Sequence, residues 1–237
     1  MKKTLARLKK LIKKIPVLGD LARNLRGGIE PPVPFRDSAS YWETRYASGG
    51  HSGVGSYNKF AQFKADVLNQ FVREHQIASV IELGCGDGNQ LTLASYPEYS
   101  GYDVSSTAVA MCRERFATDL AKAFRMVREY AGETADLAIS LDVVFHLVED
   151  SIFEDYMRRL FAASRRYVIV YSSDTDDNQG YEGTHVRHRK FTRWVGDNLS
   201  NWKLIQHIPN RYPYRGDYTQ GSFADFFIYE TKECDPN

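Results

Sequence analysis

Glycines follow an apolar run of residues in the first half of the chain. Residues 78–83 read as a buried strand, which continues directly into Gly84, Gly86 and Gly88. Glycine lets the backbone approach a ligand closely, and a helix that follows presents free N–H groups to that ligand. The spacing therefore indicates a ligand-binding turn. A tight turn without a ligand can have the same pattern, so the neighbouring strands must decide.

A carboxylate stands at the end of the next predicted strand, residues 99–103. In a parallel sheet Asp103 would lie at the same edge as the glycine turn, where a carboxylate can accept hydrogen bonds from both hydroxyls of a ribose. The turn and this acid together indicate a cofactor that contains a nucleoside.

The glycine spacing distinguishes a turn that binds a methyl donor from one that binds a dinucleotide. A pyrophosphate-binding turn has glycine or alanine three residues after Gly86, where this chain has Asn89. Glu82 adds an acid close to the turn, which would repel a pyrophosphate and suit a cationic amine and sulfonium. The sequence also lacks the pair of Tyr and Lys, four residues apart, of short-chain dehydrogenases. A methyl donor is favoured over a nicotinamide cofactor.

Three segments resemble class I S-adenosylmethionine-dependent methyltransferases: Glu-Leu-Gly-Cys-Gly-Asp-Gly at 82–88, Gly-Tyr-Asp-Val-Ser at 101–105 and Leu-Asp-Val-Val-Phe-His-Leu at 141–147. The resemblance covers residues 40–230. It implies a doubly wound α/β fold, in which a mostly parallel, seven-stranded sheet carries an antiparallel terminal hairpin strand. It also implies S-adenosyl-L-methionine as the cofactor.

The resemblance assigns roles to residues of this sequence. The glycine turn and Glu82 would surround the methionine part of the cofactor, and Asp103 would bind the ribose. Glu129 is the candidate for the adenine, although Arg128-Glu129 departs from the commoner Gly-Asp pattern, and Asp142 would lie near the amino end of the donor or the acceptor. The predicted cofactor-binding residues are Glu82, Gly84, Cys85, Gly86, Gly88, Asp103, Val104, Glu129 and Asp142.

Strands and helices alternate after residue 78, an order that implies a parallel sheet. The predicted strands are residues 78–83, 99–103, 124–127, 137–141, 167–171, 202–208 and 223–229. The predicted helices are residues 40–46, 57–74, 105–116, 150–163 and 190–199, with another opening at 91–94.

Three histidines are candidates for a general base, because imidazole titrates near neutrality. His146 follows the fourth predicted strand, and His185 and His188 follow a loop after the fifth. A histidine that caps a helix, or an exposed basic loop, would have the same pattern. The acidic run at 174–177 reads as a solvated turn, and no metal is predicted.

The acceptor is predicted from a second resemblance. Tyr41-Trp42-Glu43 and the loop at residues 52–57 resemble bacterial methyltransferases of surface-glycan biosynthesis, which implies O-methylation of a sugar or glycan hydroxyl. The segment at 142–145 lacks the acid-Pro-Pro-aromatic sequence of many base-amine methyltransferases. The candidate acceptor-binding residues are Tyr57, Arg189, Tyr212 and Tyr214.

Positive charge is concentrated in the first 28 residues, which hold nine Lys or Arg against one acid. The rest of the chain holds 22 basic and 29 acidic residues, so a nucleic-acid partner is not expected. Leu5, Leu8, Ile12 and Ile15 fall on one helical face among lysines, which fits either a peripheral anchor on anionic lipid or docking on protein.

The predicted organisation is therefore a basic amphipathic helical segment at 1–28, a Pro-rich linker at 29–38 and a methyltransferase domain at 39–237. Three cysteines without paired spacing fit a reducing cytosol, and the predicted location is cytoplasmic, with the inner face of the membrane as an option. The alternatives are a small-molecule O- or N-methyltransferase, a nicotinamide-dependent oxidoreductase and a catalytically silent donor-binding protein.

Overall fold

The computed structural model describes residues 35–180 and 184–232. The predicted N-terminal helical segment lies outside these residues, as does most of the predicted linker. The seven strands are β1 Ser79–Leu83, β2 Glu98–Asp103, β3 Lys122–Met126, β4 Ala135–Leu141, β5 Ser164–Ser172, β6 Trp202–Ile208 and β7 Asp225–Thr231. The five α-helices of the described residues are α1 Ser38–Ala47, α2 Asn58–Glu74, α3 Ser106–Arg115, α4 Asp150–Ala162 and α5 Phe191–Asn198.

The strands form one sheet in the order β3-β2-β1-β4-β5-β7-β6. The first five strands are parallel, whereas β7 runs antiparallel to both β5 and β6. This arrangement confirms the predicted mostly parallel sheet with an antiparallel terminal hairpin. The chain leaves β1 toward β2 on one side, and β4 lies on the other side. This reversal of strand order opens a crevice at the carboxyl ends of the strands, where α/β proteins bind ligands.

Helices cover both faces of the sheet because successive side chains of a strand point to opposite faces. Apolar residues of α2 and α3 pack on one face, and apolar residues of α4 and α5 pack on the other. Val80 and Ile81, adjacent in β1, enter these two different clusters. Both faces of β1 are therefore buried, and its carboxyl end is held rigidly at the crevice.

Local capping fixes the starts of two helices beside this crevice. Asp37 precedes α1 and accepts a hydrogen bond from the Ser40 amide, 2.7 Å away. Ser105 precedes α3 and accepts one from the Ala108 amide at 3.1 Å. The helix predicted to open at residues 91–94 is instead one 3₁₀ turn, Gln90–Leu93. Ala94 is extended, and Pro97 soon after disfavours helix in the residue before it.

No helix in residues 35–180 and 184–232 is long and apolar enough to span a membrane. The same residues contain no cluster of three or more side chains that could hold a metal ion.

Candidate active site

The glycine turn after β1 can be built only with glycine at two of its positions. Gly84 and Gly86 have φ angles of +92° and +58°. A Cβ on Gly84 would lie 2.4 Å from a methyl group of Val143, and one on Gly86 would lie 2.3 Å from the Ser52 hydroxyl oxygen. The turn is therefore packed against the segments after β4 and α1.

A cavity of ≈ 520 Å³ opens beside this turn, at the carboxyl ends of β1, β2 and β4 and under α1. Most of the residues predicted to bind the cofactor line it. These are Glu82, Gly84, Cys85, Gly86, Asp103, Val104 and Asp142. His146 lines the same cavity, so the structure brings one predicted base next to the predicted cofactor residues.

Asp103 is buried at the end of β2 with both carboxylate oxygens in hydrogen bonds. The Gly86 amide donates to Oδ2 at 2.9 Å and the Ser105 amide donates to Oδ1 at 2.9 Å. Burial raises the pKa of this carboxyl to about 6, although both amides act to lower it. Each oxygen keeps a second lone pair, so the group can also accept hydrogen bonds from a pair of ribose hydroxyls.

Glu82 is a second buried acid in the cavity wall. The Tyr99 hydroxyl donates a hydrogen bond of 2.5 Å to its Oε2. Burial raises the pKa of Glu82 to about 7, and Tyr99 and the charge of Lys64 only partly oppose this shift. A cationic ligand beside Glu82 would favour its ionised form.

Asp142 follows β4 with a φ angle of +59°, an uncommon conformation for a residue other than glycine. Its amide donates to the Tyr171 carbonyl at 3.0 Å, and its Oδ2 lies 2.6 Å from Nζ of Lys64. Backbone strain of this kind is concentrated at functional sites. Lys64 comes from α2 and was not predicted as a site residue.

His146 and His185 lie in a stack of aromatic rings. Their ring centroids are 5.1 Å apart and nearly parallel, and His185 stacks on Tyr41 at 4.3 Å. Trp42 contacts His146 edge-on, with the ring centroids 4.9 Å apart. Burial and the neighbouring His185 lower the pKa of His146 to about 3, and burial lowers that of His185 to about 4. Both rings are therefore neutral at pH 7.

His188 lies outside this cavity. Its Nδ1 is 2.6 Å from the Ser173 hydroxyl oxygen, and its ring lines a second cavity of ≈ 500 Å³ together with Tyr214. Arg189 binds the backbone carbonyls of Leu147 and Val148 and packs over the ring of Phe153. The structure therefore places His188 and Arg189 away from the predicted cofactor residues.

Four other predicted residues also lie outside the lining of the first cavity. The Tyr57 hydroxyl donates to Asp87 at 2.7 Å, and Tyr212 packs edge-on against Phe60. Glu129 accepts a hydrogen bond from the Met126 amide and so caps its own turn. A Cβ on Gly88 would lie 2.9 Å from the sulfur of Cys112, so this glycine lets the turn pack on α3.

The sequence reasoning missed several residues that line the cavity, namely Trp42, Tyr46, Ser52, Lys64, Gln90, Val127, Tyr156 and Arg159. A signal for Lys64 was present, because it lies four residues from Phe60 and from Leu68 on the apolar face of α2. Gln90 follows the glycine turn and Val127 follows β3, so both lie at the predicted edge of the sheet, whereas the others come from segments that only the tertiary fold brings to the crevice.

Comparison with known proteins agrees with this geometry. Residues 81–169 match a family model described as a methyltransferase domain. The match spans β1 to β5 and includes the turn, Asp103, Asp142 and His146. This segment therefore resembles a methyltransferase domain. No curated protein is similar enough in sequence to count as a match.

Solved structures show the same fold. The N-methyltransferase NodS of Bradyrhizobium japonicum WM9, in complex with S-adenosyl-L-homocysteine, has a TM-score of 0.66 at 12% identity, and the match covers 83% of this chain and 100% of that one. Magnesium protoporphyrin IX methyltransferase of Synechocystis PCC 6803, with bound S-adenosylmethionine, has a TM-score of 0.59 at 16% identity and covers 85% and 100%. At these identities the likeness shows a shared fold, and together with the methyltransferase-domain match at residues 81–169 it supports an S-adenosylmethionine-dependent methyltransferase.

The residues of the cavity fit S-adenosylmethionine. Gly84 and Gly86 leave room where a Cβ would collide, and Asp103 can accept from ribose hydroxyls. Gln90 lines the cavity, and its Oε1 is buried with no hydrogen-bond partner among the described residues. A buried acceptor without a partner is costly unless a ligand supplies the donor. The ammonium of the methionine part is such a donor.

Proposed function

We propose that the enzyme methylates a hydroxyl oxygen of a sugar or glycan and that His146 is the general base. The position and protonation of His146 carry this proposal. Its imidazole lines the cofactor cavity in the neutral form, next to the carboxyl ends of β1 and β4. The bound cofactor supplies a methyl group on a positively charged sulfur.

The tautomer of His146 follows from its hydrogen bond. Nδ1 lies 2.9 Å from the His185 carbonyl oxygen, which can only accept, so Nδ1 carries the proton. In a neutral imidazole the other nitrogen, Nε2, then has the free lone pair. His185 acts through its carbonyl and ring as a positioning residue for His146, which differs from the prediction that His185 is itself a base.

A low pKa does not prevent this role. The acceptor oxygen becomes strongly acidic as it bonds to the methyl carbon, so a weakly basic but correctly placed nitrogen can take its proton. Nε2 of His146 would accept that proton while the fold holds the acceptor oxygen in line with the methyl group. Proximity and orientation supply much of the acceleration in such a reaction.

The aromatic surroundings of His146 support a sugar acceptor. Trp42 lines the cavity beside His146, and Tyr41 and Tyr46 flank it in α1. An aromatic ring offers an apolar face to a sugar ring, while the hydroxyls of the sugar need polar partners such as the imidazole. This proposal does not involve His188, Arg189 or Tyr214, which lie elsewhere.

The N-terminal segment supports a location at the inner face of the cytoplasmic membrane. Its nine basic residues and its predicted apolar face at Leu5, Leu8 and Ile12 suit an anionic lipid surface. Glycan precursors that are assembled at that surface would then be close to the cavity.

The test combines an acceptor screen with variants. We expect methyl transfer from labelled S-adenosylmethionine to a nucleotide sugar or glycan, with no transfer to small amines. With the best acceptor of the screen, His146→Ala should lower kcat by roughly 10²- to 10⁴-fold and leave the affinity for S-adenosylhomocysteine nearly unchanged.

His207→Ala is the matched control, because His207 lies on the edge strand β6 and pairs with Asp225. It should retain full turnover. Unchanged turnover in His146→Ala would remove the histidine base. Transfer to amines but to no hydroxyl would contradict the proposed acceptor class.

A further inference from the structure

Lys64 is buried completely in the wall of the cofactor cavity. The exposed fraction of its side chain is 0%, and it projects from the apolar face of α2. Lysine is almost never fully buried unless its charge is compensated. A buried ammonium at the edge of a cavity therefore indicates a specific partner.

The hydrogen bonds of Lys64 are incomplete. A lysine ammonium has three donors, and among the described residues its one hydrogen-bond acceptor is Asp142 Oδ2. The ring of Tyr171 lies 5.2 Å from Nζ and offers its face. Asp142 and the Tyr171 ring thus leave the donors of Lys64 incompletely used, and Lys64 is among the residues that line the cavity.

The charges around the cavity indicate that the hydrogen-bond partner of Lys64 in a ligand is an anionic group. Near the glycine turn the wall carries the carboxylates Glu82, Asp103 and Asp142. Two basic residues, Lys64 and Arg159, also line the cavity, and Arg159 donates to the Val127 carbonyl beyond the end of β3. Lys64 is thus the cation on the side of β1 and β4, where its charge acts on Glu82.

The methionine part of the cofactor is zwitterionic, with a carboxylate and an ammonium on one carbon. Gln90 Oε1, buried without a partner in the described residues, can accept from the ammonium. The carboxylate needs a donor within the same region, which the acids of the wall cannot provide. We propose that Lys64 binds this carboxylate, while Asp142 fixes the position of the lysine ammonium.

Asp142 is suited to this positioning role. Its strained backbone places the carboxylate between Lys64 and Gly55, where a Cβ on Gly55 would lie 2.8 Å from Asp142 Oδ2. The side chain of Asp142 is 17% exposed, so the ion pair is largely shielded from water. Removing one partner of such a pair weakens the site that the pair organises.

Calorimetry with two ligands tests this role directly. S-adenosylhomocysteine has the carboxylate, whereas 5′-methylthioadenosine keeps the adenine, ribose and sulfur but has no amino-acid part. Lys64→Met should weaken binding of S-adenosylhomocysteine by about 10- to 100-fold, the usual cost of a lost charged hydrogen bond. Its affinity for 5′-methylthioadenosine should stay within about twofold of wild type.

The ratio of the two affinities is the decisive readout, because partial unfolding lowers both titrations equally. Lys59→Met is the matched control on the same helix, since Lys59 binds the Gln220 carbonyl at the surface. It should keep the wild-type ratio. If Lys64→Met does not fold, Lys64→Gln removes the charge with a smaller disturbance and is measured in the same way.

A wild-type ratio in a folded Lys64 variant would overturn the proposal, as would an equal loss for both ligands. The proposal rests on the cofactor assignment but not on the sugar acceptor. If the folded wild-type protein binds neither ligand, both the cofactor assignment and the role of Lys64 fail. A failed acceptor screen leaves the role of Lys64 unaffected.

Discussion

Two buried acids in the cavity wall destabilise the ligand-free protein and stabilise a bound cationic ligand. Glu82 and Asp103 are buried, and burial raises the pKa of each above its ordinary value. In the free protein this burial costs stability once the groups ionise. A ligand that places a cationic group beside Glu82 and donates ribose hydroxyls to Asp103 compensates this cost, so acids that destabilise the ligand-free protein favour binding of such a ligand.

The pKa of Glu82 gives a testable pH dependence. An acid with a raised pKa in the folded state lowers the free energy of unfolding as pH rises from the unfolded value, 4.5, to the folded value of about 7. The size of this loss is about 3 kcal/mol. Glu82→Gln does not titrate, so the stability of wild type minus that of the variant should fall by this order between pH 4.5 and pH 8.

Urea unfolding of the ligand-free proteins at both pH values measures the difference. The Tyr99 hydroxyl can still donate to the amide oxygen of the variant, so the hydrogen bond at this position is retained. A difference that stays constant between the two pH values would show that the pKa of Glu82 is not raised in the folded protein.

Helix α1 forms part of the cavity wall, as does α4. Trp42 lines the cavity, whereas Trp194 packs against Phe153 and Trp202 against Phe161. We therefore expect S-adenosylhomocysteine to change tryptophan fluorescence through Trp42. Trp42→Phe should abolish most of this change, and Trp202→Phe, the matched control, should keep it. A full signal in Trp42→Phe would mean that α1 does not contact the bound ligand.

Local patterns predicted the elements better than their long-range contacts. The predicted alternation of strands and helices was confirmed, because the spacing of apolar residues within a short segment is enough to predict the type of element. The turn at Gln90–Leu93 was predicted as the opening of a helix, although Pro97 disfavours helix at the residue before it and leaves room for little more than one turn. Glu129 was chosen by its place after β3, but its hydrogen bond to the Met126 amide depends on backbone geometry that sequence spacing does not reveal.

The positions of cavity residues were predictable where one short segment contains both the end of a strand and the polar or glycine residues that follow it. Gly84, Gly86 and Asp103 meet this condition, because parallel strands bring their carboxyl ends to one edge. Lys64 and Trp42 come from helices that precede the sheet in sequence, and their contacts with Asp142 and His146 span about 80 and 100 residues. No local pattern specifies such pairs.

At the scale of the whole molecule the charge is divided along the chain. The first 28 residues carry +8 and the remainder carries −7, although the net charge is only +1. An anionic membrane surface repels a net negative charge and attracts a net positive one. Binding to an anionic membrane would then depend on the first 28 residues alone.

This dependence can be measured by vesicle flotation of the full chain. Four lysines, Lys9, Lys10, Lys13 and Lys14, surround the predicted apolar face. Each basic residue near an anionic surface contributes about 1 kcal/mol, so changing all four to Gln should lower partitioning onto phosphatidylserine vesicles by roughly 10³-fold. Neutral phosphatidylcholine vesicles should bind both proteins weakly, and high salt should release the wild type. Equal flotation of the two proteins on the anionic vesicles would exclude an electrostatic anchor and favour docking of the segment on protein.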